Sequence, residues 1–566
     1  MVSIAGLNIA DTRHGQPLQD GGCAIVEDGE VVVAVSEERI TREKYAPGFR
    51  HSLDYCLEYV DQPIEDIDYF VVSNCSDRPL TQDFLDRYLE ECSVDVPEDK
   101  LVINASHHLS HAASAFYGSP FDESIVLVID NNGNVLRGDY ENPKFNGLER
   151  TTAYVGRDGE IELFRRYHDD CSQLGFGAVY KYVTLYLGFE SYKDAGKVMG
   201  LASYGEGELS SYHFFDDDRR SLVESRPHDP QSAVRDCLRE QGFDPGPPKS
   251  TPETPSDLQI EIAWLVQREL ERVLVDLIDE LVDATSLTTL CYAGGVALNC
   301  VANERLRQET PLERLFIPPA PGDYGQCLGN ALYGWYCHLN KERGSPITTA
   351  YLGRSYGRST ITRALSEYKD EITVTTPRDI PTYVADRLTE GSIVGVFDGR
   401  SEFGPRALGN RSIIADPRDP KMKDRVNENI KFREEYRPFA PTVLREHYDE
   451  YFDSSWELPC EYMILAQPVE IESEERIPAV THVNETARLQ TVSQSDNELF
   501  YNIIDRFYQE TGVPVVLNTS FNLSGEPIVE KPVDAIDTFL RSGLDTLVLG
   551  GNVVEKDPGE RERPVS

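Results

Sequence analysis

Thr288-Thr-Leu-Cys-Tyr-Ala-Gly-Gly-Val-Ala-Leu-Asn299 places an apolar strand, a glycine turn and the start of a helix in immediate succession. A turn of this kind points backbone N–H groups and the positive end of a helix at one spot, which is how phosphate is cradled. Two other stretches follow the same plan. Ile125-Val-Leu-Val-Ile-Asp130 is an apolar strand that runs into Asn131-Asn-Gly-Asn134, and Pro319-Ala-Pro-Gly-Asp-Tyr-Gly325 carries Gly322 and Gly325. None matches a Walker motif or G-x-G-x-x-G, so each alone is weak. Together, with an acidic residue closing a strand, they suggest a two-lobed, actin-like nucleotide fold.

Working outward, residues 22–35 alternate about Asp28-Gly29 and predict a hairpin. Residues 205–258 are rich in Asp, Pro and Ser and read as an irregular surface insertion. Beyond them Ile262, Leu265, Val266, Leu270, Val273, Leu274, Leu277 and Leu281 keep helical spacing and predict a long packed helix. The pattern breaks around Arg343-Gly-Ser-Pro-Ile347, which places a boundary near residue 350. The second part alternates short strands (Ile393–Phe397, Val513–Leu517, Thr546–Leu549) with helices, so both parts read as α/β.

At 566 residues, with 40% apolar and 27% charged side chains, two or more globular domains are expected. No apolar run approaches the roughly 18–20 residues of a membrane span. The first ten residues read as a strand, not a leader, and a cytoplasmic protein is expected. The 11 cysteines are scattered, without a C-x-x-C pair, which argues against a zinc ribbon or a disulfide framework. Asp and Glu number 97 against 55 Lys and Arg, a net charge of −42 spread along the chain. Such a surface repels phosphate backbones and argues against nucleic acid as a partner. It also fits adaptation to high salt, where dense carboxylates stay hydrated and their repulsion is screened.

Only 11 histidines occur, yet His107, His108 and His111 cluster in Ser106-His-His-Leu-Ser-His111. On a helix His107 and His111 share a face and supply two imidazoles for a divalent metal such as Fe, Zn or Mn, while His108 points elsewhere as a packing residue. Asp130 and Asp323, each at a glycine turn, are candidates to complete the set; turn chemistry is the plain alternative for both. In the second part Arg400, Arg406, Arg411 and Arg418 cluster, followed by Lys431, Arg433 and Arg437. In so acidic a chain they imply an anionic ligand or structural ion pairs. Leu517-Asn-Thr-Ser-Phe-Asn522 adds a polar turn suited to an adenylate or a carbonyl.

With these residues in view, the chain resembles the carbamoyltransferase family that includes NodU and the antibiotic O-carbamoyltransferases. The matching stretches are His107–Tyr117, Gly196-Lys-Val-Met-Gly-Leu-Ala-Ser-Tyr-Gly205, Ala293–Asn303, Glu402-Phe-Gly-Pro-Arg-Ala-Leu-Gly-Asn-Arg-Ser-Ile413, Arg437-Pro-Phe-Ala-Pro441, Thr486–Val492 and Leu517–Asn522. The resemblance implies an ASKHA domain over residues 1–350 and a YrdC-like α/β domain over 351–566. It implies that the second makes carbamoyl-adenylate from carbamoyl phosphate and ATP, ATP entering with Mg. The first would then transfer the carbamoyl group to a hydroxyl-bearing acceptor at a divalent metal, Fe(II) in family members. Carried over, the metal ligands are His107, His111, Asp130 and Asp323. The nucleotide cradle is Gly294, Gly295 and Asn299, with Lys197 nearby. Lys431, Arg437, Arg488, Asn518 and Ser520 hold carbamoyl phosphate and the adenylate phosphate, with Arg433 and Asn522 as further members. A homodimer is left open.

Two departures from the family pattern stand out. The family histidine after the first strand, the natural general base, falls at His14 after a small insertion, or its place is taken by Gln19 beside Asp20. The usual Gly-x-Gly-Glu after Asp130 reads Asn131-Asn-Gly-Asn134, without the glutamate. Rival readings are a tRNA- or protein-directed carbamoyl transfer, which the acidic surface opposes in the case of tRNA, and a catalytically impaired nucleotide-binding regulator. The acceptor is not legible.

Overall fold

The computed structural model describes the chain apart from residues 10–11, 14–15, 18–19, 76–79, 137–146, 169–172, 225–228, 247–253, 454–459 and 558–566, and gives backbone alone at 12–13, 16–17, 74, 135–136, 147, 192 and 231. The chain forms two compact units. The first holds residues 1–37 and 46–348; the second takes the chain from Thr349 on and also Glu38–Tyr45.

The first unit contains two five-stranded sheets with the same strand plan. One runs Glu30–Ser36, Gly22–Glu27, Ser3–Ile9, Tyr69–Asn74, Leu101–Ile103; the other runs Glu160–Tyr167, Thr151–Arg157, Glu123–Ile129, Thr289–Ala293, Arg314–Phe316. In chain order within each sheet both read 3-2-1-4-5, antiparallel across the first two pairs and parallel across the last two. The predicted hairpin closes the first sheet's edge. Asp28 and Gly29 both take left-handed backbone, φ 47° and 91°, as a tight two-residue turn requires.

The helix His107–Gly118 joins one sheet to the other. Ser106 caps it by accepting from the Leu109 N–H at 3.0 Å, and Ala112, Ala113 and Ala115 keep its surface low enough for neighbours to approach closely. Gln326–Tyr333 packs on it so tightly that a Cβ at Gly329 would stand 1.9 Å from the Ser110 carbonyl oxygen. Between them Asn330 donates to the Leu7 carbonyl and to Ser73, each at 2.8 Å, and accepts from Ser110 at 2.6 Å.

Asp257–Thr285 is the long helix expected from its apolar spacing; it starts with a Ser256–Gln259 capping box and buries Ile262, Leu265, Leu270, Leu274 and Leu281. The stretch 205–258 departs from the expected irregular surface. It contains the helix Pro230–Glu240, opened by Asp229 as N-cap and Pro230 at its first turn, and it buries Phe214, Phe215, Val234 and Leu238. Its Pro- and Asp-rich composition hid apolar residues that pack on the rest of the unit, Pro230–Glu240 against Phe176–Tyr186 and Phe215 against Phe176.

The second unit is built on a mixed eight-stranded sheet: Ile372–Thr375, Asn552–Lys556, Thr546–Leu549, Val394–Phe397, Arg411–Ala415, Val515–Ser520, Ala440–Leu444, Gln490–Val492. Ile380–Thr389 and Glu498–Thr511 pack together, burying Val384, Leu388, Phe500, Ile504 and Phe507. Among the described residues no helix is long and apolar enough to cross a membrane, and the described cysteines are all free.

Candidate active site

The first unit brings four side chains from three elements to one point. His107 and His111 share a helix face, Asp130 follows the strand Glu123–Ile129, and Asp323 opens the turn before Gln326–Tyr333. The Nε2 atoms of His107 and His111 are 3.2 Å apart. His107 Nε2 lies 3.6 Å from Asp130 Oδ2 and 3.2 Å from Asp323 Oδ1; the same distances from His111 Nε2 are 3.3 and 3.5 Å. All four ligand atoms fall within 4.8 Å of one another.

A first-row divalent ion with bonds of about 2.0–2.2 Å sets neighbouring ligand atoms about 3–3.6 Å apart. The observed spacings fit, and so does the chemistry: two imidazoles and two carboxylates suit Fe, Zn or Mn. Asp130 Oδ2 and Asp323 Oδ1 take no conventional hydrogen bond among the described residues. Three contacts tie this set to the fold, while the Nδ1 atoms of His107 and His111 take no hydrogen bond among the described residues. Asp130 Oδ1 accepts from the Asn131 N–H at 2.6 Å, Asn8 donates to the Asp323 carbonyl at 3.2 Å, and Gln326 donates to the His107 carbonyl at 3.1 Å. Burial opposes a charge on His107, but Cys75, Asp323 and Asp130 outweigh it and raise its pKa well above the ordinary value. Burial also opposes ionised Asp130, and there His107 and His111 prevail and hold it below the usual carboxylate range. The site therefore favours positive charge at its centre. His108 differs: burial, then the charges of its two neighbours, keep it neutral, and its Nδ1 pairs with Thr152 Oγ1 at 2.8 Å.

The glycine turn at 293–299 borders this centre. A Cβ on Gly295 would stand 3.1 Å from Asp130 Oδ1, and Gly294, at φ 92°, passes so near Ile129 that a Cβ would be 2.2 Å from its carbonyl oxygen. Asn299 is occupied by the fold: it caps Cys300–Glu309 through the Ala302 N–H at 3.0 Å and pairs its amide with Gln267 at 2.9 and 3.1 Å. Lys197 pairs with Asp194 at 3.0 Å. His14 lies outside the described residues.

The second unit gathers a cluster of cations. Lys431 is buried, and its ammonium donates to the carbonyls of Ser520 (2.5 Å) and Asn522 (3.1 Å) and to Asn522 Oδ1 (2.9 Å). Ser520 Oγ donates to Asn522 Oδ1 at 2.6 Å, so the polar turn after the strand Val515–Ser520 is the lysine's seat. Burial, and then the charges of Arg433, Arg437 and Lys44, push the Lys431 pKa well below the ordinary lysine value. Arg433 is likewise depressed by burial, Arg437 and Arg488, while its guanidinium donates to Asn427 Oδ1 at 2.8 Å and lies 4.3 Å over the Phe439 ring. Asn518 sits below, donating to Gln490 at 2.9 Å and to Thr442 at 3.1 Å. Lys431 and Arg433, each depressed by burial and by like charge nearby, make this a candidate anion site, although Arg437 pairs with Glu434 at 3.5 Å.

The arginines of 400–418 resolve differently. Arg400 donates to the carbonyls of Leu352 and Gly353, and Arg418 pairs with Asp416. Arg411, fully buried, donates to the Asp398 carbonyl at 2.7 Å and stacks 3.7 Å over the Phe397 ring. Of the two readings open for this cluster, an ion pair holds for Arg418, while Arg400 and Arg411 are held by backbone carbonyls, which neither reading foresaw. Lys44 was not anticipated. The basic run Arg39, Arg42, Lys44 was its one signal, and nothing in the sequence ties it to Lys431. Arg42 holds that segment to the second unit through the carbonyls of Pro527 (2.9 Å) and Ile528 (2.6 Å), just beyond the Asn522 turn.

Two family models match the chain: Carbamoyltransferase N-terminus over residues 16–99 and 93–332, and Carbamoyltransferase C-terminus over 385–556. Nodulation protein NolNO of Sinorhizobium fredii is 34% identical over 579 residues, covering 95% of this chain and 79% of that protein. The 3'-hydroxymethylcephem-O-carbamoyltransferase of Amycolatopsis lactamdurans is 26% identical over 564 residues, covering 96% and 99%. Solved structures match more distantly. A full-length HypF in its phosphate- and nucleotide-bound form covers 58% of this chain and 55% of its own, at 14% identity and a TM-score of 0.33.

Proposed function

Because the chain belongs to the carbamoyltransferase family, we propose that it is an ATP- and carbamoyl phosphate-dependent O-carbamoyltransferase acting on a hydroxyl of a small-molecule or sugar acceptor. The observation that supports this reading is the buried Lys431 ammonium with Arg433 and the partly exposed Arg437 about it, where an anionic substrate would offset like charge. We read the second unit as a YrdC-like adenylation domain. Carbamoyl phosphate is hydrolysed to carbamate and phosphate, and the carbamate oxygen attacks the α-phosphorus of ATP. Pyrophosphate leaves and carbamoyl-adenylate forms. Lys431, Arg433, Arg437 and Arg488, with Asn518, Ser520 and Asn522 about them, bind and orient the phosphates.

The first unit we read as an ASKHA domain, which its two sheets of one plan support, and we assign an adenylate to the Gly294–Gly295 turn, which lies beside Asp130. The acceptor oxygen attacks the carbamoyl carbon, AMP leaves, and a base near residues 14–20 takes the proton. His107, His111, Asp130 and Asp323 would hold the divalent ion, Fe(II) by family resemblance, which as a Lewis acid offsets charge on oxygen. The acidic surface fits a small acceptor and a high-salt setting.

Pyrophosphate release from ATP with carbamoyl phosphate and Mg, in high KCl, tests the reading. Wild type and His107→Ala release it, and Lys431→Ala does not. Equal rates in wild type and Lys431→Ala, or no release in either, would refute it. Transfer to acceptors in extracts, read as a gain of about 43 Da at the attacked hydroxyl, should be lost in His107→Ala.

A further inference from the structure

The turn after Asp130 lacks the glutamate expected in its own sequence, yet a buried carboxylate stands beside it. Val135–Leu136 pairs antiparallel with Gly147–Leu148 and draws residue 149 back to the turn. The Glu149 N–H donates to the Asn134 carbonyl at 3.0 Å, and the Gly133 N–H donates to the Glu149 carbonyl at 2.5 Å. The Glu149 side chain is 1% exposed. Its Oε1 accepts from the Ser106 hydroxyl at 2.5 Å, and its Oε2 accepts from the N–H groups of His108 (3.3 Å) and Asn134 (3.2 Å). The space is tight: a Cβ on Gly133 would stand 2.7 Å from Glu149 Cβ and 3.0 Å from the His108 ring.

We propose that Glu149 is a positioning residue for the metal centre, its carboxylate clamping the first turn of the histidine helix to the turn that follows Asp130. The reasoning rests on reading His107, His111, Asp130 and Asp323 as that centre. Ser106 and His108 flank the ligand His107, and Asn134 ends the turn that Asp130 begins. One carboxylate thus ties the source of two nitrogen ligands to the source of an oxygen ligand. Its charge lies at a helix N-terminus, where it is favoured. Supporting groups of this kind typically set metal affinity by about 10–100-fold.

The test is Co(II) binding to the full-length protein, by calorimetry and by the visible Co(II) spectrum. Wild type should bind one ion per chain and His107→Ala none. Glu149→Ala should bind about 10–100-fold more weakly with an altered spectrum. Glu149→Gln keeps an acceptor and adds a donor for Ser106, so it should fall between. Glu269→Ala is the control: Glu269 is buried in the same unit and accepts from the Phe214 and Phe215 N–H groups. It should lower the melting temperature without changing affinity. Wild-type affinity and spectrum in Glu149→Ala, or an equal loss of affinity in Glu269→Ala, would overturn the clamp. Should Glu149→Ala not fold, Glu149→Gln at wild-type affinity and spectrum overturns it. Absence of Co(II) binding in wild type would remove the metal-site reading and the proposal with it.

Discussion

Replacing Lys431 with methionine should make the ligand-free protein no less stable while removing its response to phosphate. The lysine is buried among Arg433, Arg437 and Lys44, and the net of burial and repulsion depresses its pKa well below normal. Two unit charges about 7 Å apart repel by roughly 2 kcal/mol at an effective dielectric of about 20. Against this stand the hydrogen bonds to Ser520 and Asn522. The depressed pKa says that the penalty wins, and an apolar side chain of similar length relieves it. The pH dependence follows from the sign. The unfolded chain keeps its lysine proton up to roughly pH 10.4, and the folded chain gives it up at a lower pH. Between those two values stability rises with pH, and below the lower one the penalty is present in full. Across that window wild type should gain about 1.4 kcal/mol per pH unit relative to Lys431→Met, which has no such proton, and so recover the penalty it carries at neutral pH. Unfolding series from neutral to alkaline pH, in phosphate-free buffer at fixed KCl, measure this. Adding carbamoyl phosphate or inorganic phosphate at about 100 times Kd should stabilise wild type by about 2.7 kcal/mol and the variant negligibly. A variant that is less stable at neutral pH, shows the same pH slope and keeps its phosphate response would refute the reasoning and make Lys431 a structural staple of the Asn522 turn.

Gly329→Ala puts a methyl group 1.9 Å from the Ser110 carbonyl oxygen, an atom of a helix backbone that cannot step aside. It should cost about 3 kcal/mol, read by denaturant unfolding, and weaken metal binding because His107 lies on one of the helices forced apart and Asp323 on the turn that leads into the other. With 97 acidic and 55 basic residues, the protein should unfold in dilute buffer and gain stability steeply toward about 1 M KCl, where charges are screened beyond roughly 3 Å. A melting temperature that is flat across that range would count against adaptation to high salt.

The four residues of the candidate metal site were legible because the sequence marks each one locally. The two histidines are four apart in a chain poor in histidine, and both aspartates stand at glycine turns after apolar stretches. Their convergence was supplied by family resemblance; spacing alone left turn chemistry open for Asp130 and Asp323. The arginines of 400–418 show the limit of composition. A guanidinium stacked on Phe397 and bonded to carbonyls reads in sequence like one awaiting phosphate, because the deciding partners are backbone atoms that carry no residue identity. Glu149 was hidden for a related reason. It approaches Gly133 only because a short ribbon, Val135–Leu136 with Gly147–Leu148, closes the intervening loop. The helix at Pro230–Glu240 was obscured by flanking Asp and Pro residues that are its start signals as much as loop signals.

The assignment of Glu38–Tyr45 to the second unit means that the polypeptide passes between the units three times, at 37/38, 45/46 and 348/349. Such a chain is not two modules joined end to end. A gene fragment beginning at Thr349 would encode a domain without Arg42, which bonds to Pro527 and Ile528, and without Lys44, whose charge acts on Lys431. The fragment before it would carry eight residues whose folding partner is missing. Splitting, shuffling or swapping at the obvious boundary would therefore damage both products. For this architecture a swap of one unit has to carry Glu38–Tyr45 along with the residues from Thr349 on.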